Sequence, residues 1–124
     1  MNIVTRVLVV APNKTITPLV LAVNTISGTA ECCWHFETKA DVATKFLQAH
    51  TNNGSGPYDL VIIDDCLDCA KSLVLVATRN RWGEKFLILT GQPPKDSPPY
   101  YFLQRPITQK VLVEKISELI TIIG

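Results

Sequence analysis

The sequence predicts an α/β domain in which helices cover both faces of a five-stranded parallel sheet. Segments typical of strands and of helices alternate five times along the 124 residues, and this alternation is the pattern of a parallel sheet with crossover helices. The first strand segment is apolar throughout residues 7–10, as expected when both faces of a sheet are buried. No internal repeat or boundary is visible, so we expect residues 1–124 to form one domain.

The first half of the chain is predicted to contain two strands and two helices. The first strand covers residues 6–11. Thr17 and Pro18 then offer a helix N-cap followed by proline at the first helical position, so we expect the first helix to begin there. The second strand is predicted over residues 31–36. The second helix is predicted over residues 39–50, where apolar residues recur at helical spacing.

The second half supplies three more strands and at least two helices. The third strand is predicted at residues 58–63, after a polar and glycine-rich loop, and the fourth and fifth at residues 85–90 and 100–104. Residues 68–80 are rich in strand formers, yet their length and the alternation favour a helix. Thr108 can cap a last helix whose apolar residues follow helical spacing: Leu112, Ile116, Leu119, Ile120 and Ile123.

The connection between the fourth and fifth strands departs from the alternation. Residues 91–99 contain four prolines: Pro93, Pro94, Pro98 and Pro99. Proline removes an amide donor and fixes a backbone angle, so no helix of useful length can form here. A fourth helix would normally cross over at this point. The sequence therefore predicts that this helix is shortened or replaced by a stiff, extended loop.

The composition limits the class of function. A hydrophobic fraction of 47% with 19% charged residues is typical of a globular protein. The formal net charge of +1, with no long basic run, gives no reason to expect nucleic-acid binding. The apolar runs are far shorter than the roughly 18 residues that a membrane-spanning helix needs. No signal peptide is recognisable, so we expect a cytoplasmic protein without a membrane role.

Four cysteines permit three interpretations. Cys32 and Cys33 are adjacent in a predicted strand, where their side chains face opposite sides, so they are poorly placed to bind one metal ion. Cys66 and Cys69 have the spacing of a thiol-redox motif after a strand. Neither the aromatic, glycine-rich approach nor the later proline of that motif is present. Reduced packing cysteines are therefore favoured, and a redox protein using Cys66 and Cys69 and a zinc site stay alternatives.

Three strand segments end in residues with charged or hydroxyl side chains. They read DLVIIDD, FLILTG and FLQRP, and they deliver a carboxylate, a hydroxyl and a cation: Asp64, Thr90 and Arg105. Ligands of open α/β sheets bind at the carboxyl ends of the strands, where these three side chains would meet. An acid, a hydroxyl and a cation together would suit the handling of a phosphoryl group.

These segments and their order resemble the receiver domain of two-component response regulators. The resemblance implies a flavodoxin-like sheet of order 2-1-3-4-5 with right-handed crossovers. It places Asp64 in the position of the phosphoacceptor and Thr90 in that of the switch hydroxyl. Arg105 takes the position of the lysine that precedes a proline in the family.

The sequence also departs from this family. The metal-binding acids of receivers follow the first strand, where this chain has Ala11 and Pro12, neither of which can coordinate Mg²⁺. Asp65 could assist Asp64, but adjacent strand residues are expected to point to opposite faces. Arg105 carries a planar fork instead of a compact ammonium group, and we interpret it as a structural partner for Asp64. These departures resemble a pseudo-receiver, a receiver scaffold that signals without metal-dependent phosphorylation.

The leading hypothesis is therefore a non-catalytic signal-relay module, with no cofactor, no metal site and no catalytic residue. Its expected partner is a protein, either a histidine kinase domain in the same chain or another signalling protein. The predicted contact surface is the proline-rich loop with Tyr100 or Tyr101 and the start of the last helix, because proline pre-orders a loop and lowers the entropy cost of binding. A genuine phosphoacceptor receiver using Asp64 and the thiol-redox protein remain the alternatives.

Overall fold

The computed structural model contains a five-stranded sheet. It describes residues 5–17, 32–39, 41–43, 45, 58–67, 70–79, 85–92 and 100–123. The strands are β1 (Thr5–Val10), β2 (Cys32–Glu37), β3 (Leu60–Asp64), β4 (Phe86–Thr90) and β5 (Tyr101–Gln104). Two helices have described bounds, α1 (Ala70–Arg79) and α2 (Gln109–Ile123). Residues 13–17, 41–43 and 45 are also helical.

All four strand pairings are parallel, and the strand order is β2-β1-β3-β4-β5. This confirms the predicted architecture. The observed strands begin and end within two residues of the predicted ones. In the register between β3 and β4, Asp64 stands opposite Leu89. In the register between β4 and β5, Thr90 stands opposite Gln104. The carboxyl ends of β3, β4 and β5 therefore meet at one edge of the sheet.

The two faces of the sheet form two separate hydrophobic clusters, because successive strand residues point to opposite sides. β3 and β4 are buried along their whole length, which explains why their sequences are almost continuously apolar. One face packs against the buried side of α2, with Leu112, Ile116, Leu119 and Ile120. The other packs against α1 through Ala70 and Leu73, and against Ala43 of the helical segment at residues 41–43.

The predicted helices are confirmed where the structure describes them, with one correction. Of the helix predicted at residues 68–80, the described part forms α1 (Ala70–Arg79) despite its strand formers. The Thr108 hydroxyl accepts a hydrogen bond from the N–H of Val111 at 3.2 Å, as a cap of α2 should. The expected start of the first helix at Thr17 is wrong, because residues 13–17 are already helical. The carbonyl of Pro12 accepts the first hydrogen bonds of that helix, and a proline before the first turn loses no helical donor.

Several predictions fall outside the described residues. They include the four prolines of the loop between β4 and β5 and the shortened fourth helix that they imply. Cys69 and the second half of the predicted helix at residues 39–50 also lie outside. Among the helices that the structure describes, none is long and apolar enough to cross a membrane.

Candidate functional site

The parallel sheet brings Asp64 and Arg105 together, as the sequence suggested. Asp64 is the last residue of β3, and Arg105 follows directly after β5. The N–H of Arg105 continues the ladder by donating to the carbonyl of Thr90 at 2.7 Å, which aims its side chain back across the end of β4. The peptide bond between Arg105 and Pro106 is cis. Arg105 thus spans from β5, over β4, to the end of β3.

The guanidinium group of Arg105 holds two carboxylates at once. Its Nη1 lies 2.6 Å from Oδ1 of Asp64 and donates also to the carbonyl of Leu89 at 3.1 Å. Its Nη2 lies 2.5 Å from Oδ1 of Asp65. The planar fork of arginine suits such a bridge, because its N–H groups diverge at fixed angles and a lysine presents one point charge. We call Arg105, Asp64 and Asp65 together the Arg105 clamp.

Asp64 is enclosed by hydrogen-bond donors. Its side chain is only 3% exposed. Besides Arg105, the N–H of Cys66 donates to Oδ1 at 2.9 Å, and the hydroxyl of Thr15 donates to Oδ2 at 2.5 Å. A buried carboxylate stays ionised only when such donors replace the lost hydration. Both oxygens of Asp64 are therefore occupied by groups of this chain.

Sequence reasoning missed Thr15. It lies in the helical segment at residues 13–17 that follows β1, beside the end of β3 because these two strands are neighbours. A single threonine in a helical turn has no distinctive pattern. The available signal was its place after the first strand, where receivers carry their metal-binding acids. In this chain, a hydroxyl from that region meets the carboxylate of Asp64.

Asp64 and Asp65 lie on opposite faces of the sheet, as expected of adjacent residues. Asp64 shares a cleft with Leu89 and Leu112, and Asp65 shares a groove with Ile88 and Tyr100. The N–H of Asp65 still donates to the carbonyl of Leu89 at 3.0 Å, so the strand ladder continues one residue beyond β3. Both carboxylates turn toward the same guanidinium group of Arg105.

The charges of the clamp shift two pKa values. Burial raises the pKa of Asp65, but hydrogen bonds from Thr90, Arg105 and the Gly91 backbone, with the positive charge of Arg105, lower it to below its usual value. Burial lowers the pKa of Arg105, but its hydrogen bond to Asp65 and the negative charges nearby raise it above the usual value. Both groups therefore remain charged across the neutral range.

Thr90 lies beside Asp65 rather than on Asp64. Its hydroxyl donates to the carbonyl of Gln92 at 2.8 Å and accepts from the N–H of Gln92 at 3.2 Å. It also lies within reach of the Asp65 carboxylate, whose pKa it lowers. A hydroxyl has one proton, so it can serve only one of these two acceptors at a time. The adjacent Gly91 leaves room for the clamp, because a Cβ there would lie 3.2 Å from Nη2 of Arg105.

The two tyrosines of the predicted contact surface face opposite sides of the sheet. Tyr100 packs against the cluster on the α1 side, and Tyr101 packs on the α2 side, where Lys115 lies 5.4 Å from its ring centre. Both are half-buried. Tyr100 and not Tyr101 lines a groove of about 390 Å³ between α1 and the end of β4. The four prolines of this surface lie outside the described residues.

Two of the four cysteines, those whose burial the structure describes, differ from the expectation of packing residues. Cys33 and Cys66 are both free and exposed. Cys66 contributes to the site through its backbone N–H, which holds Asp64, so its thiol is not required for that contact. Its possible redox partner Cys69 lies outside the described residues, and the redox alternative stays a hypothesis.

One solved structure similar to this chain is the crystal structure of response regulator RPA3017 in red light signaling of R. palustris. The likeness covers 93% of this chain and 90% of that chain, with a TM-score of 0.63 and 16% sequence identity. The fold is receiver-like. No family model and no curated protein matches the sequence.

The residues at the receiver-like position do not fit Mg²⁺. Ligand atoms of Asp64, Asp65 and Cys66 lie within 4.8 Å of one another. However, Mg²⁺ requires an octahedron of oxygen ligands, and the cationic Arg105 already holds both carboxylates. The end of β1 adds no acid, because it continues into the buried Ala11 and then Pro12. A metal ion would have to displace Arg105 and leave its charge unpaired.

Proposed function

We propose that the chain is a pseudo-receiver, a non-catalytic signal-relay module of a two-component-type system. It acts through contacts with a protein partner, without Mg²⁺-dependent phosphorylation of Asp64. The observation that supports this proposal is the enclosure of Asp64, whose two oxygens accept hydrogen bonds from Arg105, Cys66 and Thr15.

Phosphorylation of an aspartate requires one carboxylate oxygen to approach phosphorus in line with the leaving group, while cations neutralise the growing charge. In this chain, that oxygen would first have to leave Thr15 or Arg105, and the side chain is 3% exposed. Arg105 supplies one positive charge, which two carboxylates already share. Access to the Asp64 oxygens is therefore restricted, and the site has too little positive charge for the phosphoryl transfer.

The proposed contact surface is the groove between α1 and the end of β4. Its apolar lining is Val74, Leu75, Ile88 and Tyr100, with polar groups at one end. Leu75 is 58% exposed and adds apolar surface to the groove that a partner could cover. The partner would be a histidine kinase domain of the same chain or another signalling protein.

The test is a heteronuclear amide spectrum of the domain with Mg²⁺ and acetyl phosphate, or with Mg²⁺ and beryllofluoride. We expect no saturable change at residues 64, 90 and 105. The matched control is Asp64→Asn, in which any weak shifts caused by Mg²⁺ alone should persist. Saturable shifts that disappear in Asp64→Asn would instead support the genuine phosphoacceptor.

A further inference from the structure

A second cavity lies on the other side of the Arg105 clamp from Thr90. It is a cleft of about 210 Å³, close to the first turn that follows β1. Its polar lining consists of Lys14, Thr15, Asp64 and Arg105, and its apolar lining consists of Leu89, Pro106, Ile107 and Leu112. The lining is thus partly charged and partly apolar; Leu89 and Leu112 are buried, Ile107 is half-buried and Pro106 is exposed.

The lining of this cleft carries a formal charge of +1, from Lys14 and Arg105 against Asp64. Asp65 contributes to the clamp but does not line the cleft. Lys14 is exposed and makes no ion pair with any residue that the structure describes. The carboxylate of Asp64 is occupied by its own donors, so its charge is already partly compensated. Lys14 is therefore the one charged residue of the lining without an ion pair to a described residue, whereas Arg105 shares its charge with Asp64 and Asp65.

We propose that this cleft binds a small organic anion, a carboxylate or a phosphate monoester. The anionic group would meet Lys14 and the edge of Arg105, and an apolar body would lie against Ile107 and Leu112. The cleft volume of about 210 Å³ is well above what one water molecule needs, so a small organic body has room there. This volume is smaller than that of the pockets that hold drug-sized ligands.

Such binding is reversible and needs neither metal nor a covalent bond to Asp64. It goes beyond the relay function, because it does not depend on which protein the groove contacts. The negative charge of Asp64 opposes the ligand and competes with it for Arg105. Replacement of Asp64 by asparagine should therefore strengthen binding, whereas the same replacement abolishes any response that requires a phosphoacceptor.

The experiment is a titration of the full chain with acetate, benzoate or inorganic phosphate, without Mg²⁺ and at constant ionic strength, followed by amide shifts. We expect saturable shifts at residues 14, 15 and 107, with benzoate bound more tightly than acetate because it covers the apolar lining. Lys14→Gln should weaken binding about fivefold and Asp64→Asn should tighten it about fivefold, the effect of roughly one unit charge near 4 Å in water. Lys110→Gln, an exposed lysine outside the cleft, should change nothing.

Two results would overturn the proposal. Shifts that do not saturate, or that weaken equally in Lys14→Gln and Lys110→Gln, would mean adventitious anion binding only. Loss of binding in Asp64→Asn, in a variant that keeps the native spectrum, would mean that the anion occupies the phosphoacceptor position. Because Lys14 is exposed, Lys14→Gln should fold even when Asp64→Asn does not, and it keeps the proposal testable.

Discussion

Replacement of Arg105 by methionine should destabilise the domain chiefly through Asp64. The side chain of Asp64 is 3% exposed, while those of Asp65 and Arg105 are 30% and 31% exposed. Removal of one partner of a fully buried ion pair costs about 3–5 kcal/mol, whereas an exposed pair contributes about 0.2–1 kcal/mol. Asp64 retains two donors, Thr15 and the Cys66 N–H, which reduce the loss. We expect a decrease in the free energy of unfolding of about 2–3 kcal/mol at neutral pH.

Equilibrium unfolding in urea measures this decrease, and two double-mutant cycles divide it between the carboxylates. One cycle combines Arg105→Met with Asp64→Asn, and the other combines it with Asp65→Asn. The coupling with Asp64 should be the larger, because solvent screens the Asp65 pair. Arg105→Lys should restore part of the stability, since an ammonium group can meet one carboxylate but cannot bridge both.

The pH dependence supplies a second measurement of the clamp. The pKa of Asp65 is lower in the folded state than its usual value, so its contribution is present above the unfolded pKa. That contribution is lost as the pH falls through the folded pKa, and it should be smaller in Arg105→Met. A loss of stability below about 0.5 kcal/mol in Arg105→Met, or equal coupling to both carboxylates, would refute the assignment of Asp64 as the main partner.

Three further outcomes follow from the same contacts. Thr15→Val should lower the free energy of unfolding by about 1–2 kcal/mol in urea, because it leaves an oxygen of Asp64 without its donor, and Thr15→Ser should recover most of it. Cys66→Ser should stay within about 0.5 kcal/mol of the parent in the same assay, because the thiol is exposed and serine keeps the N–H. Leu75→Glu should reduce the amide shift changes that the signalling partner causes, without loss of stability. Its control is Ile122→Glu, at a position near the end of α2 that is 61% exposed. An equal reduction in both variants would mean that the contact surface is elsewhere.

The fold was predictable because burial on both faces leaves few alternatives. β3 and β4 are buried along their whole length and are apolar up to their last residues, Asp64 and Thr90, and such apolar runs are recognisable without a structure. The meeting of Asp64 and Arg105 was also predictable, since parallel strands deliver their last residues to the same edge. The start of the first helix was not predictable. The sequence offers a proline at two places, Pro12 and Pro18, and the cap at Thr17 favoured the second.

The part of the site that sequence could not predict depends on where regular structure stops. Period-two alternation places Asp64 and Asp65 on opposite faces, as observed, but it does not show that the guanidinium group of Arg105 reaches both. Thr15 belongs to a helical turn with no pattern of its own, and its role exists only because β1 and β3 are neighbours. Both contacts are made by side chains just beyond the end of a strand, where no sequence period applies.

The Arg105 clamp lies between the two cavities, so binding in one can change the affinity of the other. Asp64 and Arg105 line the cleft near Lys14, while Asp65 and Thr90 line the groove beside Leu75. Any ligand in the cleft that draws Arg105 toward itself must weaken the hold of Arg105 on Asp65, which borders the groove. Linkage requires the reverse as well: a partner that alters Asp65 from the groove changes the affinity of the cleft by the same factor. An arginine can couple the two sides in this way because it bridges both carboxylates; a lysine, which holds one, would leave the cavities independent.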